Sequence, residues 1–233
     1  MCTLALFWRD FPSTPLVIAA NRDENPQRPW SDPHWWDGIF AGRDEVAGGT
    51  WLGLAPSGLA CGITNRWGPA NDPSRRSRGL IVRDALLAPS ARAAVAALAR
   101  RPTSETNAFG LLIADREDAF RVDCDGMTIG VQPLVPGVTV LANWGADEPR
   151  PRSERALQLA AAVPRSSIND AWPALQALVS DHDGAEIPGQ AICVHGDRYA
   201  TLSSTLIAVG DGIEWRDTRG NPCTATWISR APL

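Results

Sequence analysis

Apolar, strand-forming residues fill positions 2–8 and 16–20, and Asp10-Phe11-Pro12-Ser13-Thr14-Pro15 between them is turn chemistry, so the pattern predicts a β-hairpin. Residues 50–54 and 59–64 flank Pro56-Ser57-Gly58 and predict a second hairpin. Alanine, leucine and arginine then recur at helical spacing over residues 77–87 and 90–101, with breaks at Pro89 and Pro102, which predicts a helix pair. Strands are predicted over 109–114, 119–123, 127–131 and 138–142, helices over 151–163 and 170–179, and three or four further strands within 191–227.

This order is not a regular βαβ alternation, and no G-x-G-x-x-G opens a helix. Two antiparallel sheets with helices packed outside them account for it, so the predicted class is α+β. With 233 residues and 44% hydrophobic content, the chain can bury one large core, and residues 1–233 read as a single domain. The apolar start is too short for a secretory leader, and no run approaches the roughly 20 apolar residues that span a bilayer. A cytoplasmic protein without a membrane span is expected.

All 22 basic residues are arginine, which excludes Schiff-base chemistry, covalent pyridoxal phosphate and a P-loop lysine. No covalent cofactor is expected. At a net charge of −4, nucleic-acid binding would need a segregated basic face. The one candidate, Arg75-Arg76-Ser77-Arg78, reads as a solvated loop before a helix, so nucleic acid is not an expected partner. Five widely spaced cysteines without C-x-x-C suggest neither disulfides nor a zinc cluster, and fit a reducing compartment. His34, His182 and His195 lie in three distant segments, none with the i, i+4 spacing of helical ligands, so no metal site is expected.

The candidate chemistry lies at the start. A first turn centred between Pro12 and Ser13 sets Cys2 opposite Asp23, with Asn21 on the same face and Arg22 on the other. Removal of Met1 would place a thiol and the α-amine on one residue, the amine serving as base toward the thiol. Asp23 would hold that amine, and Asn65 and Asn143, at predicted strand ends, offer amide donors for an oxyanion. Each residue also has a plainer reading. Cys2 suits a buried strand as a small hydrophobe, the asparagines suit turns and caps, and Cys61, Cys124, Cys193 and Cys223 suit the core. Trp30, Trp35, Trp36 and Trp51 would floor a pocket for a flat or acyl ligand, or simply pack.

Met1-Cys2-Thr3, then Val17-Ile18-Ala19-Ala20-Asn21-Arg22-Asp23-Glu24, then Gly48-Gly49-Thr50-Trp51-Leu52-Gly53, resemble the NRDE-motif family of Transport and Golgi Organisation protein 2 homologues. The resemblance is strongest over residues 1–66 and extends over most of the chain. It implies an N-terminal-nucleophile (Ntn) hydrolase-like fold, a four-layer αββα sandwich. It is also similar, more distantly, to the choloylglycine hydrolase and penicillin V acylase group. That likeness implies Cys2 as nucleophile, Asp23 as amine partner, and Asn65 and Asn143 as oxyanion or orienting groups. The family resemblance implies ligand binding by Asn21, Arg22, Asp23, Glu24, Trp51 and Arg198, with haem or acyl-CoA as the small-molecule partner. The alternative is a cysteine amidohydrolase acting on a small non-peptide amide. Leu202 stands where the resemblance implies an arginine, with Arg198 the nearest substitute.

Overall fold

A computed structural model of the chain describes residues 2–67, 71–144, 150–187 and 189–232. In chain order its strands are β1 (Thr3–Trp8), β2 (Leu16–Glu24), β3 (Trp30–Trp36), β4 (Ile39–Asp44), β5 (Leu52–Leu54), β6 (Ala60–Asn65), β7 (Phe109–Ala114), β8 (Ala119–Cys124), β9 (Ile129–Pro133), β10 (Gly137–Leu141), β11 (Ala200–Val209), β12 (Ile213–Asp217) and β13 (Ile228–Arg230). The helices are α1 (Arg78–Leu86), α2 (Ala91–Leu98), α3 (Pro151–Ala161) and α4 (Ile168–Val179). The chain divides into two compact units, one of Met1–Gln27, Pro136–Ala142 and Asp147–Leu233, the other of Arg28–Val135 and Asn143–Ala146.

The first unit holds a sheet in the order β10-β1-β2-β11-β12-β13, antiparallel throughout. Alternate residues of its central strands, Ala5, Phe7, Val17, Ala19, Leu206 and Ala208, meet Ala156 and Ala160 of α3 and Trp172, Leu175 and Leu178 of α4. The intervening residues Leu4, Leu6, Ile18 and Ile207 are buried as well. Burial on both faces explains why β1 and the first half of β2 read as continuous apolar runs rather than as an alternation.

The second unit is a meander in the order β3-β4-β5-β6-β7-β8-β9. One face packs Ile39, Cys61, Ile63, Leu111 and Ile113 against Ile81, Val82 and Leu86 of α1 and Val95 and Leu98 of α2. Ser77 and Ser90 cap these helices, their hydroxyls accepting from the Gly79 and Ala93 backbone N–H groups. Gly49 lies against the start of α1. Thr50 N donates to Gly79 O at 3.1 Å, and a Cβ on Gly49 would sit 2.3 Å from the Gly79 carbonyl carbon.

One expectation, the register of the first hairpin, is corrected, and two further segments gain detail. The first hairpin pairs Thr3 with Asn21 and Trp8 with Leu16, so its loop is the odd-numbered stretch 9–15, centred on Pro12. Arg9 takes a left-handed conformation (φ 50°), and its N–H bonds Pro15 O at 2.7 Å. The register is therefore one residue from the predicted one, and every facing relation in the motif is exchanged. The tryptophan-rich stretch is the β3–β4 hairpin, turned by Asp37-Gly38 with positive φ at both positions. Arg75-Arg76-Ser77-Arg78 is a partly exposed stretch leading into α1, and it is tied down: Arg76 pairs with Asp84 at 2.7 Å and with Glu105 at 3.3 Å, and Ser77 is a cap.

Candidate active or ligand-binding site

Strand alternation divides the Asn21-Arg22-Asp23-Glu24 motif between two faces. Asn21 and Asp23 point to the side covered by α3 and α4. Asn21 Nδ2 donates to Val179 O (2.8 Å) and Ile192 O (2.9 Å), and its Oδ1 accepts from the Ser204 hydroxyl at 2.5 Å. The amide thereby ties the C-terminus of α4, the segment before β11, and β11 itself to β2.

Asp23 is enclosed. Its Oδ2 accepts from Arg152 Nη1 at 3.0 Å, its Oδ1 accepts from the Thr201 hydroxyl at 2.7 Å, and the two side chains of the ion pair are 0% and 2% exposed. Arg152 also donates to Ala191 O. Burial pushes the Asp23 carboxyl above the ordinary carboxylate range, against the opposing pull of Arg152 and the Thr201 hydroxyl.

Extending the register by one residue brings Cys2 opposite Arg22, on the face away from α3 and α4. Ser203 of β11 is in register with Arg22, because a bulge between Thr201 and Ser203 shifts the strand there. Arg22 and Ser203 are buried, Cys2 partly so, and the Ser203 hydroxyl has no hydrogen-bond partner among the described residues. The Cys2 Sγ lies 3.8 Å from the backbone carbonyl of Asp23. Burial raises the Cys2 thiol above its ordinary value, with Arg22 among the groups that oppose this.

The structure places the other predicted residues as follows. Asn65 ends β6 in the second unit, and its carbonyl accepts from the buried Asn143 Nδ2 at 2.6 Å. Asn143 O in turn accepts from Trp67 N at 2.9 Å, so these asparagines join each other. Trp51, in the same unit, stacks edge-on against Trp30 at 5.7 Å. Glu24 Oε1 caps Asn25 N at 2.8 Å. Arg198 is exposed in the segment before β11, and Leu202 stands in the β11 bulge with its carbonyl accepting from Gly220 N. Met1 lies outside the described residues.

The guanidinium at Asp23 is thus Arg152, which the motif-based reading did not single out. Its signal lay in the helix: Arg152, Ala156 and Ala160 form the buried stripe of α3 at i, i+4, i+8, and an arginine heading an otherwise small, apolar stripe demands a buried acid. The expectation that the histidines stay apart is also corrected. His182 and His195 meet with Cys193 and Cys223, their ligand atoms all within 4.8 Å of one another. Three loops supply these residues, so helical spacing had no bearing on them.

Solved structures share this arrangement of sheets and helices. Penicillin V acylase from Agrobacterium tumefaciens matches with a TM-score of 0.62 at 15% identity, covering 100% of this chain and 87% of that one. The Caenorhabditis elegans N-acylethanolamine-hydrolyzing acid amidase ortholog gives 0.57 at 13% identity, covering 88% and 92%. The C2A mutant of the conjugated bile acid hydrolase from Clostridium perfringens gives 0.51 at 11%, covering 99% and 96%. The fold is α+β, of the N-terminal-nucleophile hydrolase type.

Within that class the sequence is more specific. The family model for Transport and Golgi organisation 2 matches residues 1–214, and the chain belongs to that family. The Bos taurus Transport and Golgi organization protein 2 homolog is 28% identical over 225 residues, covering 83% of this chain and 82% of that protein. The Mus musculus homolog is 40% identical over 73 residues, 29% of this chain and 26% of that protein.

Proposed function

We propose that the chain binds and passes on a hydrophobic metabolite bearing an anionic group, haem or an acyl-CoA, where Cys2, Arg22 and Ser203 come together. The observation that carries this reading is the register, which aligns a partly buried thiol, a buried guanidinium and a buried hydroxyl without a partner among the described residues on one face. A guanidinium recognises carboxylates and phosphates by charge-assisted hydrogen bonds, the anionic groups of haem and of CoA respectively. A buried hydroxyl without a partner costs about 1–3 kcal/mol, which a ligand oxygen would recover. Asp23 is engaged by Arg152 and Thr201, and burial raises the Cys2 thiol above its ordinary value, so binding fits this geometry better than turnover. Cysteines outside any disulfide among the described residues suit a cytoplasmic location for this role. Titration with haemin, followed by its Soret band, and with palmitoyl-CoA, followed by calorimetry, tests the reading. Saturable binding that Arg22→Ala weakens at least about tenfold is expected, since a hydrogen bond to a charged group contributes about 1.5–3 kcal/mol. Absence of binding to both ligands sinks it.

A second reading, a cysteine amidohydrolase acting on a small non-peptide amide, draws on the fold likeness to an amidase, an acylase and a hydrolase. It requires Met1 removal, Cys2 as nucleophile with its own amine as base, Asp23 holding that amine, and Asn65 and Asn143 as oxyanion donors. Intact-mass spectrometry of protein from its native host decides this: retained Met1 excludes the reading, whereas acylation of Cys2 by an electrophilic probe after Met1 loss supports it.

A further inference from the structure

Three loops of the first unit converge on a cluster that lies outside the Cys2 site. His182 follows α4, Cys193 and His195 lie in the segment before β11, and Cys223 lies in the connection from β12 to β13. Cys193 is buried and the other three are exposed. The imidazole Nε2 atoms of His182 and His195 are 2.9 Å apart, the Cys193 and Cys223 sulfurs 3.8 Å apart, and His195 Nε2 lies 3.7 Å from Cys193 Sγ and 3.3 Å from Cys223 Sγ.

The sulfur–sulfur separation equals an edge of a tetrahedral zinc site and the two sulfur–nitrogen separations lie within about 0.3 Å of one, whereas the two nitrogens are about 0.5 Å closer than such an edge and would part on binding. Zinc at about 2.3 Å from sulfur and about 2.05 Å from nitrogen, with tetrahedral angles, sets two sulfurs about 3.8 Å apart, sulfur and nitrogen about 3.6 Å, and two nitrogens about 3.4 Å. A disulfide between Cys193 and Cys223 would instead bring the sulfurs to about 2.05 Å. We propose that His182, Cys193, His195 and Cys223 form a tetrahedral zinc site that staples the three loops together.

The donor set of two thiolates and two imidazoles suits zinc, and its charge balances that of a divalent cation. On binding, the two thiol protons pass to solvent, each sulfur and each Nε2 gives an electron pair to the metal, and both rings keep their proton on Nδ1. The surroundings already hold the ligands. Asn221 Nδ2 donates to Val194 O at 2.8 Å and lies 3.9 Å from Cys193 Sγ, while Cys193 N donates to Asp181 O at 2.8 Å, next to His182.

The site adjoins the NRDE motif through the main chain. Ala191 O accepts from Arg152, Ile192 O accepts from Asn21, and Val194 N donates to the Thr201 hydroxyl that also reaches Asp23. A metal on residues 193 and 195 therefore braces the strip of backbone that Asn21 and Arg152 grip. This inference stands independently of what binds at Cys2.

Metal analysis of the full chain, purified reduced and without added chelator, is the test. One zinc per chain is expected, with Co2+ replacing it to give the visible bands and thiolate charge-transfer absorption of a tetrahedral thiolate site. His182→Ala and Cys223→Ser alter exposed side chains and should each lower the bound metal to a small fraction of the wild-type content without loss of circular dichroism. Asn221→Ala should weaken zinc about 10–100-fold, as expected for an outer partner of a ligand. Reduced protein that takes up no stoichiometric metal overturns the proposal, as does metal content unchanged in both ligand variants, or a Cys193–Cys223 disulfide as the resting state.

Discussion

Replacing Arg152 by methionine removes the charge facing Asp23 while retaining the length of the side chain. The carboxylate has no exposed surface, so Arg152→Met leaves it buried without its guanidinium, the Thr201 hydroxyl still donating to it. Breaking a buried pair from one side costs about 3–5 kcal/mol, whereas removing both charges is often nearly neutral. For a chain of this size each kcal/mol moves the melting temperature by about 2–4 °C, so the expected loss is roughly 6–20 °C at neutral pH. The Asp23→Asn, Arg152→Met double variant should regain more than half of it.

The pH dependence carries a sign of its own. Burial raises Asp23 in the folded chain above its unfolded value, so its contribution is fullest below the ordinary carboxylate range and declines as pH rises through the folded value. Arg152 is the largest influence opposing that rise, and its removal deepens the decline. The gap between wild type and Arg152→Met should therefore be small at acid pH and large at neutral pH. Urea unfolding followed by circular dichroism at several pH values reads this directly. A deficit under about 1 kcal/mol at neutral pH, one that does not change with pH, or a double variant no better than the single would refute the reasoning.

Gly49→Ala should destabilise the second unit by about 1–3 kcal/mol in thermal melts, because its Cβ would meet Gly79 backbone rather than a side chain that can move aside. Iodoacetamide should modify Cys2 more slowly in the native chain than in urea, with a native rate that still climbs beyond pH 9.0, the ordinary thiol value. Equal native and unfolded rates would contradict the burial of that thiol.

Most of the elements were legible because their signals are local. Ser77 and Ser90 announce α1 and α2, and Phe109–Ala114 is a strand at its predicted limits. The β3–β4 hairpin was missed although Asp37-Gly38 is a strong turn signal, because the clustered tryptophans were read for pocket or packing rather than for strands. The motif itself was legible, but its geometry was not. Loop parity at Pro12 decides whether Asp23 or Arg22 accompanies Cys2, and one residue with positive φ at Arg9 settles it. The buried stripe of α3 marked Arg152 as needing an acid but not which one, and the His182–Cys223 cluster depends on contacts between separate loops, which no spacing rule encodes.

The central claim is that Arg22, not Asp23, faces the ligand beside Cys2. Calorimetric titration of palmitoyl-CoA into wild type, Arg22→Ala and the Asp23→Asn, Arg152→Met double variant, all retaining Met1, tests it most directly. The account predicts at least a tenfold loss of affinity in Arg22→Ala, set by about 1.5–3 kcal/mol for a charged hydrogen bond, and a change within about twofold in the double variant. Full affinity in Arg22→Ala, with binding lost when Asp23 and Arg152 are neutralised, would contradict it.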